Sequence, residues 1–126
     1  MFQGFLILCV ISIIGASPIP TFVLATVEEG VESGNDSTIV NGLSNKGLAL
    51  DKLGNYSEAI KYYSKVLAIR PNNTNTLDNI GIDLNNLGNY TGTVEYFNRA
   101  LAINPKDETA LYNKGAALYH LGFPTL

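Results

Sequence analysis

Apolar residues in the second half of the chain recur at the spacing of one helix face. Leu43, Gly47, Leu50 and Leu53 lie three or four residues apart, which is the pattern of a helix that buries one side. The pattern returns after 34 residues and again after 68. The repeated positions are Leu77, Gly81, Leu84 and Leu87, and then Leu111, Gly115, Leu118 and Leu121.

A turn and a second helix follow each of these stretches. In the first unit, Gly54 suits the left-handed position that ends a helix, and Asn55 with Glu58 forms a variant of the capping box. Pro71 ends the second helix, because the residue before a proline is pushed out of the helical region. The apolar face of that helix comprises Ala59, Ile60, Tyr63, Val66 and Leu67.

The period therefore predicts an all-α chain of helix hairpins. Helices are expected near residues 39–53, 57–69, 76–87, 91–103 and 108–121, arranged as antiparallel pairs in a right-handed stack. Glycine in a helix interior costs about 0.5–1 kcal/mol relative to alanine, so its recurrence at Gly47, Gly81 and Gly115 indicates a close approach of the paired helix. Ala59 is the residue expected to face Gly47.

The 34-residue unit resembles the tetratricopeptide repeat. Leu43 stands at the family's Trp position, Gly47 at its Gly, and Ala59, Tyr63 and Pro71 at its Ala, aromatic and Pro positions. The resemblance implies a repeat domain over residues 39–123, with two full units (about 40–73 and 74–107) and an incomplete third (108–126).

The second and third units depart from the pattern. Gly92 and Thr93 replace the Glu58-Ala59 pair of the first unit and are expected to weaken their helix. Asp83 replaces Ala49 and is expected to be partly buried. The third unit does not reach its second helix before Leu126, so its apolar face is expected to lack the hairpin partner.

The N-terminal segment has the pattern of an export signal. No charged side chain occurs from Phe2 to Val27, and the apolar core over residues 5–14 precedes Pro18 and Pro20. Small residues before a cut after Ala25 predict a signal peptide over residues 1–25. The alternative is an uncleaved membrane anchor over residues 5–25. Residues 26–38 are acidic, contain glycine and predict a flexible linker. The expected location is secreted or extracytoplasmic, or membrane-anchored.

Composition argues against several kinds of chemistry. The net charge is −3 with acids and bases interspersed, so the chain lacks the basic stripe of a nucleic-acid binder. Cys9 is the single cysteine and His120 the single histidine, which leaves no metal motif and no base for a nucleophile. We expect a non-enzymatic protein without a cofactor or metal.

The family resemblance implies a concave groove lined by the first helix of each unit, which would bind a protein or peptide partner. The groove lacks the Lys/Arg set of the family's carboxylate clamps, so an extended peptide or a helix is the expected guest. The groove residues expected in the three units are Asn41, Ser44, Leu48 and Asp51; Asn75, Asp78, Ile82, Asn85 and Asn86; and Tyr112 and Tyr119.

Four Asn-x-Ser/Thr sequons are candidate N-glycosylation sites, at Asn35, Asn55, Asn72 and Asn89. The leading functional hypothesis is an exported protein-interaction module. The alternatives are an assembly piece that associates weakly with itself through its C-terminal helix, or a fragment of a longer repeat array.

Overall fold

The computed structural model describes residues 18–124, with side-chain environments from residue 35 onward. These residues belong to two units that divide between Thr38 and Ile39. The helices of the described part are α1 (Pro18–Lys52), α2 (Tyr56–Ile69), α3 (Thr74–Asn86), α4 (Tyr90–Ile103) and α5 (Glu108–His120). Residues 18–124 contain no β-strand, which confirms the all-α prediction.

The start of α1 differs from the sequence expectation. The first helix was expected near residue 39, but α1 begins at Pro18 and includes residues 26–38, which the sequence pattern assigned to a linker. Proline is tolerated in the first turn of a helix because its missing N–H would have no helical partner there. Gly30 and Gly34 lower helix propensity by about 1 kcal/mol each without breaking a helix.

The export signal lies mainly outside the described residues. Residues 1–17, which contain its apolar core, are not among them, and cleavage after Ala25 stays a prediction. Within residues 18–124, no helix has both the length and the apolar character that a bilayer span requires.

Glycine ends three of the helices in the same way. Gly54, Gly88 and Gly122 adopt φ values of 78°, 79° and 91°, in the left-handed region that favours glycine. At the end of α1, the Gly54 N–H donates to the Asp51 carbonyl at 2.8 Å and the Asn55 N–H donates to the Leu50 carbonyl at 2.9 Å. This pair of hydrogen bonds is the Schellman motif, and it confirms the role predicted for Gly54.

Asn and Asp side chains begin the helices that follow. Asn55 Oδ1 accepts from the Glu58 N–H at 3.4 Å and Asn89 Oδ1 accepts from the Gly92 N–H at 3.0 Å. Asn73 caps α3 and Asp107 caps α5 in the same manner, each at 3.1 Å. Such caps satisfy backbone donors that have no partner within the helix.

Aromatic rings fill the spaces opened by the mid-helix glycines. A Cβ atom placed on Gly47 would lie 2.5 Å from the Cε1 atom of Tyr63, and one on Gly81 would lie 2.8 Å from the Cζ atom of Phe97. The close approach predicted at Gly47 is confirmed, and the atoms nearest to it belong to the ring of Tyr63. That Ala59 also faces Gly47 stays a prediction. The spacing along α2 does not reveal which residue of its buried face meets α1.

One core runs through the successive hairpins. Helix α3 packs against α2, α4 packs against α3, and α5 packs against α4 and, more lightly, against α3. The buried cluster that joins them consists of Ala59, Tyr63, Leu67, Leu77, Ile80, Phe97, Ala100 and Ala110. This stack of antiparallel pairs positions the inner faces of α1, α3 and α5.

Candidate functional site: the inner face of the first helices

A groove lies between α1 and α3 and contains four of the predicted partner residues. Asn41, Ser44 and Leu48 line it from α1, and Asn75 lines it from α3. The groove has a volume of about 440 Å³. Its remaining lining residues are Val40, Arg70, Asn73, Thr76 and Asn79. Amide, hydroxyl and guanidinium groups therefore converge here with a small apolar surface.

The other predicted residues of α3 have different environments. Asn86 is exposed and Asn85 is half-buried, whereas Asp78 is buried. Ile82 is partly buried and packs against the hydrophobic core. Asp51, on α1, is half-buried. Of these five residues, only Asn86 is exposed.

Tyr112 and Tyr119 lie in a separate depression. With Leu111, Gly115 and Ala116 they line a space of about 400 Å³ on α5. A third depression, of about 590 Å³, follows the outer side of α4 and is lined by Thr91, Val94, Glu95, Asn98, Arg99 and Ala102. This third surface was not predicted from the sequence.

Two buried carboxyl groups accompany the inner face. Burial, with the charge of Asp107 and a hydrogen bond to it, raises the pKa of Asp78 to about 7. Burial also raises the pKa of Asp83, and the neighbouring Asp51 carboxyl acts in the same direction. Asp83 is fully buried. The sequence predicted burial here, but only partial burial.

The Tyr63 hydroxyl lies near the same carboxyl groups. Burial is the main reason that the pKa of Tyr63 is raised, and the charges of Asp83 and Asp51 add to the effect. The neighbouring Asn79 side chain acts in the opposite direction on this pKa. Asn79 therefore connects the groove, which it lines, to the polar cluster beneath it.

Sequence reasoning missed several members of this site. Arg70, Asn73, Thr76 and Asn79 line the groove without having been proposed. A signal for Asn79 was available, because Asn recurs at residues 45, 79 and 113 beside the mid-helix glycines. Asp107 carries no such signal, since its position next to Asp78 depends on how α5 begins.

The arrangement suits reversible binding. Amide and hydroxyl groups donate and accept hydrogen bonds, and thus match a peptide backbone. Among the described residues, no group of three His, Cys, Asp or Glu side chains is placed to hold a metal ion. His120 is exposed and stacks on the Tyr90 ring at 4.4 Å between centroids.

Family models match most of this helical stack. Models of the tetratricopeptide repeat match residues 40–73 and 74–104, together more than half of the chain. The chain belongs to the tetratricopeptide repeat family. The two matches begin 34 residues apart, which is the period of the sequence pattern. A comparison with curated proteins finds no match.

Solved structures of other tetratricopeptide repeat proteins share the fold. The first such domain of Spaghetti (RPAP3), bound to the HSP90 peptide SRMEEVD, is 29% identical, with a TM-score of 0.65 and coverage of 68% of each chain. MamA from Desulfovibrio magneticus RS-1 is 29% identical with a TM-score of 0.64, and the match covers 66% of this chain and 47% of MamA. The present chain thus spans about half the length of MamA.

A third similar structure is the tetratricopeptide repeat domain of Sgt2 from Aspergillus fumigatus. It is 26% identical with a TM-score of 0.63, and the match covers 66% of this chain and 55% of the Sgt2 chain. The likeness supports the architecture of stacked helix hairpins.

The four candidate glycosylation sites are all on the surface. Asn35, Asn55, Asn72 and Asn89 are exposed. Asn55 and Asn89 also cap helices through their Oδ1 atoms. A glycan attaches to the side-chain nitrogen, so capping leaves the attachment atom outside the capping hydrogen bond. Modification of these residues stays a prediction.

Proposed function

We propose that this tetratricopeptide repeat domain is a non-enzymatic interaction module that binds an extended peptide or a helix in the groove between α1 and α3. The observation that carries the proposal is the convergence of Asn41, Ser44 and Asn75 around a groove of about 440 Å³. Such a groove offers paired donors and acceptors to a backbone and a small apolar surface, at Leu48, to a side chain.

The charge of the groove argues for a guest that differs from the acidic peptide bound by the Spaghetti domain. Arg70 is the one charged residue among those that line the groove. A carboxylate-rich segment would gain few charge-assisted hydrogen bonds here. We therefore expect a largely uncharged guest that is rich in hydrogen-bonding groups.

We propose that the module acts outside the cytoplasm. The uncharged segment that precedes Glu28 and the small residues around Ala25 support export. Cleavage would release the repeat domain, and retention of residues 5–25 would tether it to a membrane. The exposed sequons are compatible with either outcome in a compartment that holds the glycosylating enzyme.

Site-specific photo-crosslinking tests the groove. A photoreactive residue at Asn75, inside the groove, is compared in the exported full chain with one at Ala68, which is exposed on α2. We expect Asn75 to capture a discrete partner that Ala68 does not capture. Excess unlabelled protein with Asn41 and Ser44 unchanged should compete, and an N41A/S44A variant should compete poorly. Equal capture from both positions would contradict groove binding.

A second candidate function is assembly through α5. The observation that favours it is the apolar exposure of this helix: Leu111, Tyr112 and Tyr119 are 51%, 77% and 71% exposed. Large apolar side chains gathered on one face mark interaction sites more often than isolated ones do. This role is compatible with groove binding because the two surfaces use different residues.

A further inference from the structure

Asp83 is a buried acid in the contact between α3 and α1. Its side chain is fully buried, and no described residue donates a hydrogen bond to either of its carboxyl oxygens. The neighbouring carboxyl group belongs to Asp51 on α1, which is half-buried. Two adjacent carboxylates repel each other, and burial makes each of them costly to ionise. The contact between the two helices therefore contains a pair of acids that cannot both be charged at low cost.

The repeat itself does not require an acid at residue 83. The residues one period before and after it are Ala49 and Ala117, and Ala117 is fully buried without a polar group. A buried carboxyl group without a donor lowers stability, and such exceptions to good packing are expected at functional sites. The acid at residue 83 therefore points to a role in the contact between α1 and α3.

The charged groups of the neighbouring helices leave a proton as the natural partner of this pair. Helix α3 has no basic residue, and the basic residues within the described parts of α1, α2 and α4 are all exposed: Lys46, Lys52, Lys61, Lys65 and Arg99. Of the described ionisable groups, the one that acts on Asp83 is Asp51. Burial keeps the nearby Tyr63 hydroxyl protonated by raising its pKa. With one proton between them, one carboxyl group of the pair can donate a hydrogen bond to the other.

We propose that one proton shared by Asp51 and Asp83 holds the two walls of the groove together, and that its loss to water lets α1 and α3 move apart. Asp51 is the half-buried member of the pair, so the proton exchanges with solvent through its carboxyl group. The groove lies next to the pair because Asn79, which lines the groove, also neighbours the Tyr63 hydroxyl. This inference rests on the proposed groove function and adds its regulation: the groove is preformed in acid and loosened in base.

The direction of the effect follows from the burial of the pair. Burial and the neighbouring Asp51 raise the pKa of Asp83, so the shared proton persists at a pH at which an exposed aspartate has lost its own. When both carboxyl groups are charged, their repulsion favours a larger separation. Each unit by which the pKa of the pair is higher in the closed groove than in the open groove changes the ratio of the two forms by about tenfold.

Spin labels on the two walls test the inference. They are attached to the full chain through N41C on α1 and N75C on α3 in a C9S background, since both positions are exposed and line the groove. Dipolar broadening of the continuous-wave EPR spectrum, measured in buffer with EDTA, decreases as the labels separate. We expect strong broadening at pH 5 and weaker broadening at pH 8. Circular dichroism at both pH values checks that the helices persist.

Substitutions within the pair separate the shared proton from other effects of pH. In D83N and in D51N, an amide group donates a hydrogen bond to the remaining carboxyl group at every pH, so the broadening should stay strong at pH 8. Because Asp51 is only half-buried, D51N keeps the test valid if D83N disturbs the core. D78N leaves the pair intact and should respond to pH as the unsubstituted chain does.

Three results would overturn the inference. Equal broadening at pH 5 and pH 8 would exclude a proton-dependent contact, although groove crosslinking at Asn75 could still succeed and the proposed function would then stand. A pH response that D83N and D51N leave unchanged, or that D78N abolishes, would place its source elsewhere. Broadening that Ca²⁺ restores at pH 8 in the absence of EDTA would assign the pair to a metal ion in place of the proton.

Discussion

The ring of Tyr63 lies against Gly47 so closely that a Cβ atom at residue 47 would come within 2.5 Å of its Cε1 atom. Phe97 has the same relationship to Gly81, 34 residues later. The glycine and the aromatic ring together set how closely two antiparallel helices of one hairpin approach. Gly115 has the same place in the repeat without a ring over it, so the three glycines form a matched set.

Alanine substitutions at the three glycines should have opposite effects on the free energy of unfolding, depending on whether a ring covers the glycine. G47A and G81A should each lower the free energy of unfolding by about 1–3 kcal/mol, because the added methyl group forces a buried ring to move. G115A should raise it by about 0.5–1 kcal/mol, since alanine favours the helix and meets no neighbour. Urea unfolding at a protein concentration low enough to keep the chain monomeric measures all three. Equal effects at residues 47 and 115 would contradict the packing described.

Replacing Asp83 should stabilise the fold. The carboxyl group is fully buried, and the alanines at the corresponding positions, Ala49 and Ala117, show that a small side chain suits the repeat. D83A should raise the free energy of unfolding at pH 8 by about 1–3 kcal/mol, because a buried carboxylate without adequate partners is costly. Glu95→Ala, at an exposed site on α4, is the control. A lower denaturation midpoint for D83A would mean that Asp83 makes a stabilising contact.

Stability should fall as the pH rises from about 4 to about 7. The pKa of Asp78 is raised from 3.8 to about 7 in the folded chain, so the folded state binds more protons than the unfolded state in this interval. The free energy of unfolding therefore decreases with increasing pH. D78N removes the contribution of Asp78 and should reduce the slope, while Asp83, whose pKa burial also raises, contributes the remainder. Denaturant melts at pH 4.5, 6 and 7.5 measure the slope, and an identical slope in D78N would exclude Asp78 as its source.

The effect of changing Gly92 should be smaller than its position in a helix suggests. A Cβ atom there would lie 3.0 Å from Asn89 Nδ2 and 3.1 Å from Leu84 Cδ1. These side-chain ends must shift to admit a methyl group, which offsets part of the gain of about 1 kcal/mol in helix propensity. G92A should therefore stabilise less than G115A in parallel urea melts. A larger gain at residue 92 would show that its neighbours move freely.

Export should remove the N-terminal segment. We expect the mature chain to begin at Thr26, after cleavage at the small-residue site that ends with Ala25. N-terminal sequencing of the exported protein checks this expectation. Replacing Ala25 with Arg should block processing, because the site requires a small residue. Recovery of an intact Met1 form from the membrane fraction of the unmodified protein would favour the anchor.

Local signals explain which features could be predicted from the sequence. Helices α2 to α5 and their ends follow from periodicity and from caps such as Asn55 and Gly54, because each cap involves residues close together in the chain. The repeat family follows from the same 34-residue agreement. The extent of α1 was not recovered, because acidic, glycine-containing segments are compatible with a helix or with a linker.

The tertiary structure alone decided which residues meet between helices. Repeat spacing correctly placed Gly47 at a close approach but not under Tyr63, since that contact depends on the rotation of α2 against α1. The tertiary structure also brings Asp83 beside Asp51, and it places Asn79 between the groove and the Tyr63 hydroxyl. Residue spacing determines which side chains share a face, whereas the partner of that face depends on the distance and rotation of the neighbouring helix.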